Sequence, residues 1–269
     1  MNQILIMKSY AVLIDFTEGA KIALNQAQRL AHITHAKIVC LNIANSADQV
    51  AEVEKELELF VQKNSINNVP VSFEVGFGNI FSAVPELLKK IDPSLAIICT
   101  HGVKGMFQHL FGAHILKLVQ ALPCTCIVLQ ENNKINLDAV ETILMPIGPH
   151  PDFELKIKQT AAMALELNAP VTVYEIDKPG LDLESQLDKN KEKTKSYFTE
   201  NKVPFYKMLD GIKVISVGYS RQTLEYAREN SISLISLMSN ISKNDLLFGV
   251  GDKENFLVNP YGIPVLCCK

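Results

Sequence analysis

The sequence is poor in the features that place a chain in a membrane, on nucleic acid or around a metal. No apolar run approaches the roughly 18–20 residues that a membrane-spanning helix needs. Neither sign of charge is in excess. There are 26 lysines and arginines against 29 aspartates and glutamates, a formal net charge of −3, and nothing in that balance points to the basic face expected of a nucleic-acid binder. Local basic clusters such as Lys189 to Lys195 are interleaved with acidic residues, and that one reads as a solvated helix face. Six cysteines are present, but Cys124-x-Cys126 and Cys267-Cys268 lack zinc-site spacing. Most lie in or beside apolar strand-like runs, where a free thiol packs as a small hydrophobe. Also missing are a Gly-x-Ser-x-Gly elbow, a His-Glu-x-x-His pair, a Walker loop and a Gly-x-Gly-x-x-Gly turn. The expectation is a cytoplasmic, non-enzymatic protein without metal, membrane or nucleic-acid partners.

The chain does hold enough apolar material for two cores. Its 269 residues are 48% apolar and 20% charged, comfortable for two domains of about 130 residues. In the first half, strand-like runs (10–15, 37–43, 71–75, 95–99, 126–129) alternate with helical spacing (19–31, 47–63, 80–91, 113–122). Strands separated by helices imply crossover connections, hence a parallel sheet covered on both faces. The second half repeats the order. Its strands are expected at 142–147, 171–176, 233–237 and 264–267, and its helices at 156–167, 185–200 and 220–229. A last helix contains 256–258. Val203-Pro204 matches Val69-Pro70 ahead of the third strand. The reading is a tandem duplication: two doubly wound α/β domains, each with a five-stranded parallel sheet flanked by helices. The domains are 1–133 and 138–269, joined by the polar stretch 131–137.

The stretch with most chemical content follows the fourth strand. Cys99-Thr100-His101-Gly102 is succeeded by nine residues and then by Gly112-Ala113, which opens a helix. A strand, a glycine-bearing turn, a loop and a fresh helix N-terminus form the layout that receives a phosphate. Glycine suits such a loop because a backbone N–H must approach the anion closely and a Cβ would obstruct it. Lys104, His109 and His114 could add positive charge. The bland reading stays open: Asp15 could simply end its strand and bond the turn at Thr17, and the glycines could be ordinary turn residues. Cys99 and His101, two apart on an extended chain, share a face. Without a third partner, Cys99 reads as inert.

These residues resemble the universal stress protein family. The segments carrying the resemblance are Val12 to Ala31, Thr100 to Ala113 and Ala121 to Leu129. The chain as a whole resembles the tandem members of that family, weakly in its second half. The family's adenine-nucleotide binders carry Gly-x2-Gly-x9-Gly-(Ser/Thr). By resemblance Gly102 and Gly112 fill the second and third glycine positions, while Cys99 replaces the first and Ala113 the hydroxyl residue. Asp15 matches the Asp beside adenine and ribose, and Ile43 matches a residue that packs on the base. Leu13 stands where many members have proline. The resemblance implies ATP, or another adenine nucleotide, bound in domain 1 by a sensor or regulator without significant turnover. The alternative is an interaction scaffold with both sites decayed. It also implies that the closing strands near Ile127 and Val265 approach across a pseudo-two-fold axis. The tandem chain would then imitate a dimer, and could itself pair as a homodimer.

Magnitudes separate the two halves. Losing the hydroxyl at Ala113 removes one hydrogen bond to a charged group, about 1.5–3 kcal/mol, or roughly 10- to 150-fold in affinity. With Ser94-Leu95 registered on Ser233-Leu234, the second-half motif becomes Met238, Ile241, Gly251 and Asp252. Pro146 keeps the proline, but Gly148 replaces the Asp. A carboxylate at Asp252 would repel a phosphate by about 4 kcal/mol at 4 Å and an effective dielectric of 20. A helix end returns only about 0.3–1 kcal/mol, so no nucleotide is expected in domain 2.

Overall fold

Each half of the chain contributes five strands separated by helices. The computed structural model describes residues 8–66, 69–100, 113–176, 184–210, 219–243 and 251–269. The chain divides into two compact units, one made of Met1–Glu131 with Asn136–Asp138, the other of Asn132–Ile135 with Ala139–Lys269.

In the first unit the elements run β1 (Ser9–Leu13), α1 (Glu18–Thr34), β2 (Lys37–Ala44), α2 (Val50–Asn64), β3 (Val71–Phe77), α3 (Ile80–Ile91), β4 (Leu95–Thr100), α4 (Ala113–Ala121) and β5 (Cys126–Gln130). The strands lie in the order β3-β2-β1-β4-β5, and every pair is parallel. The second unit runs β6 (Ile143–Pro146), α5 (Phe153–Leu167), β7 (Val171–Ile176), α6 (Glu184–Glu200), β8 (Phe205–Asp210), α7 (Tyr219–Glu229), β9 (Leu234–Met238), α8 (Gly251–Leu257) and β10 (Val265–Cys268). Its order β8-β7-β6-β9-β10 repeats the first, again all parallel.

The central strands are buried throughout, and mostly apolar, because both their faces are covered. All five residues of β1 and all six of β4 are buried. The α1 stripe of Ala20, Ala23, Leu24, Ala27, Leu30 and Ala31 is buried, and small alanines let that helix sit close over the sheet. Helix α1 begins at Glu18 because the Thr17 side chain caps it, accepting from Ala20 N at 3.3 Å. It runs three residues beyond the expected Ala31, stopping where His35 turns left-handed (φ 54°). Helix α5 starts at Phe153, three residues before the expected Lys156, because Phe153 is itself a core side chain. The run 47–63 opens with one tighter turn, Ala47–Gln49, before α2 proper.

The polar stretch between the halves is divided residue by residue. Gln26 of α1 donates to Asn136 Oδ1 (3.2 Å) and accepts from Leu137 N (2.8 Å), while Arg29 pairs with Asp138 at 3.3 Å. In the other unit Asn132 Nδ2 donates to Pro260 O at 2.8 Å. Gly262 has φ +64°, and a Cβ there would meet Asn132 O at 2.6 Å. Only glycine meets both demands.

Candidate functional site

In a 3-2-1-4-5 sheet the chain winds outward from β1 in one direction, then crosses back to continue from β4. Ligands of such sheets bind beyond the carboxyl ends of the strands at that switch point. Leu13 ends β1 there, buried. Asp15 follows, 4% exposed. Its Oδ1 accepts from Thr17 Oγ1 at 2.6 Å and from Thr17 N at 3.3 Å. The residue between them, Phe16, has φ 64°, a left-handed conformation that a bulky side chain rarely adopts. Its ring is held edge-on by Phe60 of α2, centroids 5.7 Å apart. One tight turn therefore fixes the carboxylate of Asp15 and, through Thr17, the start of α1. The bond to Thr17 weighed from sequence is present, and it orients the same carboxylate that the resemblance assigns to a ligand.

The adjoining strands bring two more candidates. Cys99, on β4, is buried and lies near enough to Asp15 to feel its charge. Burial first, then the carboxylates of Glu131 and Asp15, push its thiol well above the ordinary cysteine range. The thiolate is the reactive form, so Cys99 is a protonated, inert side chain at neutral pH. Thr100 Oγ1 donates to Leu129 O at 3.2 Å, tying β4 to β5. Ile43 is buried, and its Cδ1 would lie 2.9 Å from a Cβ built on Gly76. Gly76 thus makes room for Ile43, which is turned toward β3.

Gly102 and Gly112 lie outside the described residues, as do His101, Lys104 and His109. Ala113 begins α4. His114, in the first turn of that helix, is exposed. It stacks against Phe81 of α3 at 6.2 Å, and Lys117 sits 4.7 Å from the same ring centre.

Sequence reading passed over Asn42. It is buried in the middle of β2, donating from Nδ2 to Ile14 O at 2.8 Å. It holds the carbonyl next to Asp15, and its Oδ1 is buried without a hydrogen-bond partner among the described residues. An amide within the apolar run 37–44 was the available signal.

The second unit places different groups at matching positions. Ile14 N bonds Leu41 O, and Ile147 N bonds Tyr174 O, so Gly148 stands at the position of Asp15 and Glu175 at that of Asn42. Ser94 N bonds Ser9 O, and Ser233 N bonds Thr142 O. This is the register expected from sequence, and it sets Met238 on Cys99 and Ser239 on Thr100. Ser239 Oγ donates to Cys268 O at 2.7 Å, as Thr100 does to Leu129. Lys156 of α5 is 3% exposed and donates to Pro146 O at 2.6 Å. Its counterpart in α1 is Ala23. Lys253, 8% exposed, donates to Asn240 O. Asn190 of α6 donates to Gly148 O (2.8 Å) and His150 O (3.1 Å). In this unit the chain's own ammonium and amide groups hold the strand-end carbonyls.

Among the described residues no group of three or more His, Cys, Asp or Glu is arranged to hold a metal ion. No helix there is long and apolar enough to cross a membrane.

Comparison with known proteins bears on the first unit most directly. Residues 7–130 match the universal stress protein family model. Of solved structures, a universal stress protein of Archaeoglobus fulgidus is 10% identical, with a TM-score of 0.66, over 97% of this chain and 96% of that one. A Pseudomonas aeruginosa UCBPP-PA14 structure described as a universal stress protein is 15% identical, with a TM-score of 0.63, over 98% and 94%. The cytoplasmic domain of a prokaryotic cation chloride cotransporter has a TM-score of 0.51 at 10% identity, over 97% and 95%. No curated protein matches the chain by sequence. At these identities the structural likenesses speak for the fold.

Proposed function

Because this chain belongs to the universal stress protein family, with residues 7–130 carrying the match, we propose that its first unit binds an adenine nucleotide at the carboxyl ends of β1 and β4. The second unit binds none, and the protein works as a ligand-responsive regulator rather than as a catalyst. The observation that carries this reading is Asp15: a carboxylate 4% exposed, fixed by Thr17, at the switch point of the sheet. A carboxylate held there accepts hydrogen bonds from a ribose hydroxyl or a base amine. The N-terminus of α4, which follows Gly102 and Gly112 in the chain, supplies main-chain donors and dipole for phosphate. Absence of turnover is supported by the chemistry present. The Cys99 thiol is protonated, and no described side chain is set as a base toward a nucleophile.

Equilibrium binding of labelled ATP to the full chain tests the reading. Asp15→Ala is expected to weaken binding by roughly 10- to 150-fold, the equivalent of about 1.5–3 kcal/mol for hydrogen bonds to a charged group. Restoring the family pattern with Cys99→Gly and Ala113→Ser is expected to tighten it. A second reading, an interaction scaffold, draws on Cys99 itself, whose buried side chain stands where the nucleotide binders have glycine. Undetectable binding at millimolar ATP by both the wild type and the restored variant would favour it.

A further inference from the structure

The second unit has a cavity that reaches Ile147, next to the switch-point residue Gly148. It lies between α6 and the β7–β8 edge of the sheet, about 230 Å³ in volume. Ile147, Val173 and Phe205 give it apolar walls, and Lys191, Lys195 and Lys207 bring three ammonium groups to it. The opposing charges are Glu175 and Glu192.

These charges are not equally available. Glu175 is 4% exposed, and its two oxygens are taken by Lys207 (3.2 Å) and Lys191 (3.5 Å). Glu192 is exposed. The Lys207 side chain is 61% exposed, so turning it from Glu175 toward a ligand costs little. Lys195 is exposed and makes no ion pair among the described residues. Lys191 is shared between Glu175 and Asp188, the latter 3.4 Å away and not itself a lining residue. Lys195 is therefore the lining ammonium group without a carboxylate among the described residues, and it stands beside an apolar wall. One such charge matches a monoanion, and a phosphate monoester, at nearly two negative charges, overshoots it. The volume is below the roughly 300–1,000 Å³ of drug-sized sites, so the ligand is small.

The other unit carries no such arrangement. At the register positions of Glu175 and Lys207 it has Asn42 and Phe73. Helix α2 buries Val53, Leu57 and Val61 at the spacing of Asn190, Thr194 and Phe198 in α6. The residues following the first two inward positions are Glu54 and Glu58 in α2, but Lys191 and Lys195 in α6. The charge is reversed in one copy alone.

We propose that this cavity is a binding site for a small monocarboxylate with an apolar body, the carboxylate held by Lys195 and Lys207 and the body lying against Phe205, Val173 and Ile147. The site is in the other unit from the nucleotide site proposed above and does not depend on it. The test is a titration of isotope-labelled full-length protein with sodium benzoate, and with benzamide as the uncharged control, followed by backbone amide shifts.

Benzoate is expected to saturate in the millimolar range with shifts centred on Thr194, Phe205 and Lys207, and benzamide to leave them unmoved. Lys195→Gln, an exposed position that folding tolerates, is expected to weaken benzoate binding about tenfold. Glu175→Gln is expected to tighten it several-fold, because it removes a like charge and releases Lys207. Shifts that do not saturate, equal binding of benzamide, or an affinity that Lys195→Gln leaves unchanged would each overturn the proposal.

Discussion

Asn42 and Glu175 occupy the same place in two copies of one fold, and their surroundings show how a duplicated domain changes chemistry without changing topology. In the first unit the position holds a neutral amide that ties down Ile14 O, beside an aspartate at the switch point. In the second it holds a buried carboxylate, matched by lysines from α6 and β8. The switch point there has glycine in place of aspartate, and Lys156 and Asn190 take the loop carbonyls. The copies agree wherever the sheet must close: Ser94 with Ser233, and Thr100 with Ser239. They differ where a ligand would touch.

Exchanging features between the copies tests this contrast. The largest effect is expected from Asn42→Asp, which places a charge in the first unit without the lysines that meet it in the second. An uncompensated buried charge costs about 3–5 kcal/mol. Desolvation raises the pKa of such a carboxyl, so the penalty is full above that raised pKa and fades as pH falls through it. Urea denaturation at pH 7 and pH 5 should show the variant recovering toward wild type at the lower pH. Equal losses at both would mean that charge is not the cause.

Lys156→Met comes next. It deprives Pro146 O of a buried charged donor, and a loss of about 1.5–3 kcal/mol is expected in the unfolding of the second unit. Wild-type stability would show that the ammonium contributes nothing net. Smaller still is Glu175→Gln, expected to cost under about 1 kcal/mol, because Lys207 is well exposed and the freed lysines return to water. If that variant loses as much as Asn42→Asp, the two positions do not differ in the way described. Least is expected of Gly148→Asp. A Cβ at Gly148 meets open space, so stability should stay within about 0.5 kcal/mol, and ATP binding by the second unit should not appear. Thiol labelling sharpens the first-unit site independently. Half-buried Cys124 should react with iodoacetamide well before Cys99, whose thiol burial holds protonated.

Much of the architecture was legible because alternating apolar runs and helical spacing determine it. The expected helix 80–91 and strand 171–176 match α3 and β7 to the residue. Boundaries slipped where a cap or a core residue outside the periodic run decided them, as Thr17 and Phe153 do. The site was legible only in part. The family resemblance singled out Asp15 and the strand–turn layout Cys99, and the two lie near each other at the carboxyl ends of β1 and β4. Asn42, Lys156 and Asn190 were not seen. Each acts through a backbone carbonyl of another element, a pairing that no local pattern encodes. The α6 lysines were read as a plain solvated face, since only the fold sets Lys191 and Lys207 on either side of Glu175.

The most direct test of the account is an ATP titration of the full chain monitored by backbone amide shifts in both units at once. The account predicts saturable shifts at Leu13, Asp15, Ile43 and His114, with Gly148, Met238 and Ser239 unmoved. Shifts gathered around Gly148 and Ser239, or none in either unit at saturating nucleotide, would contradict it.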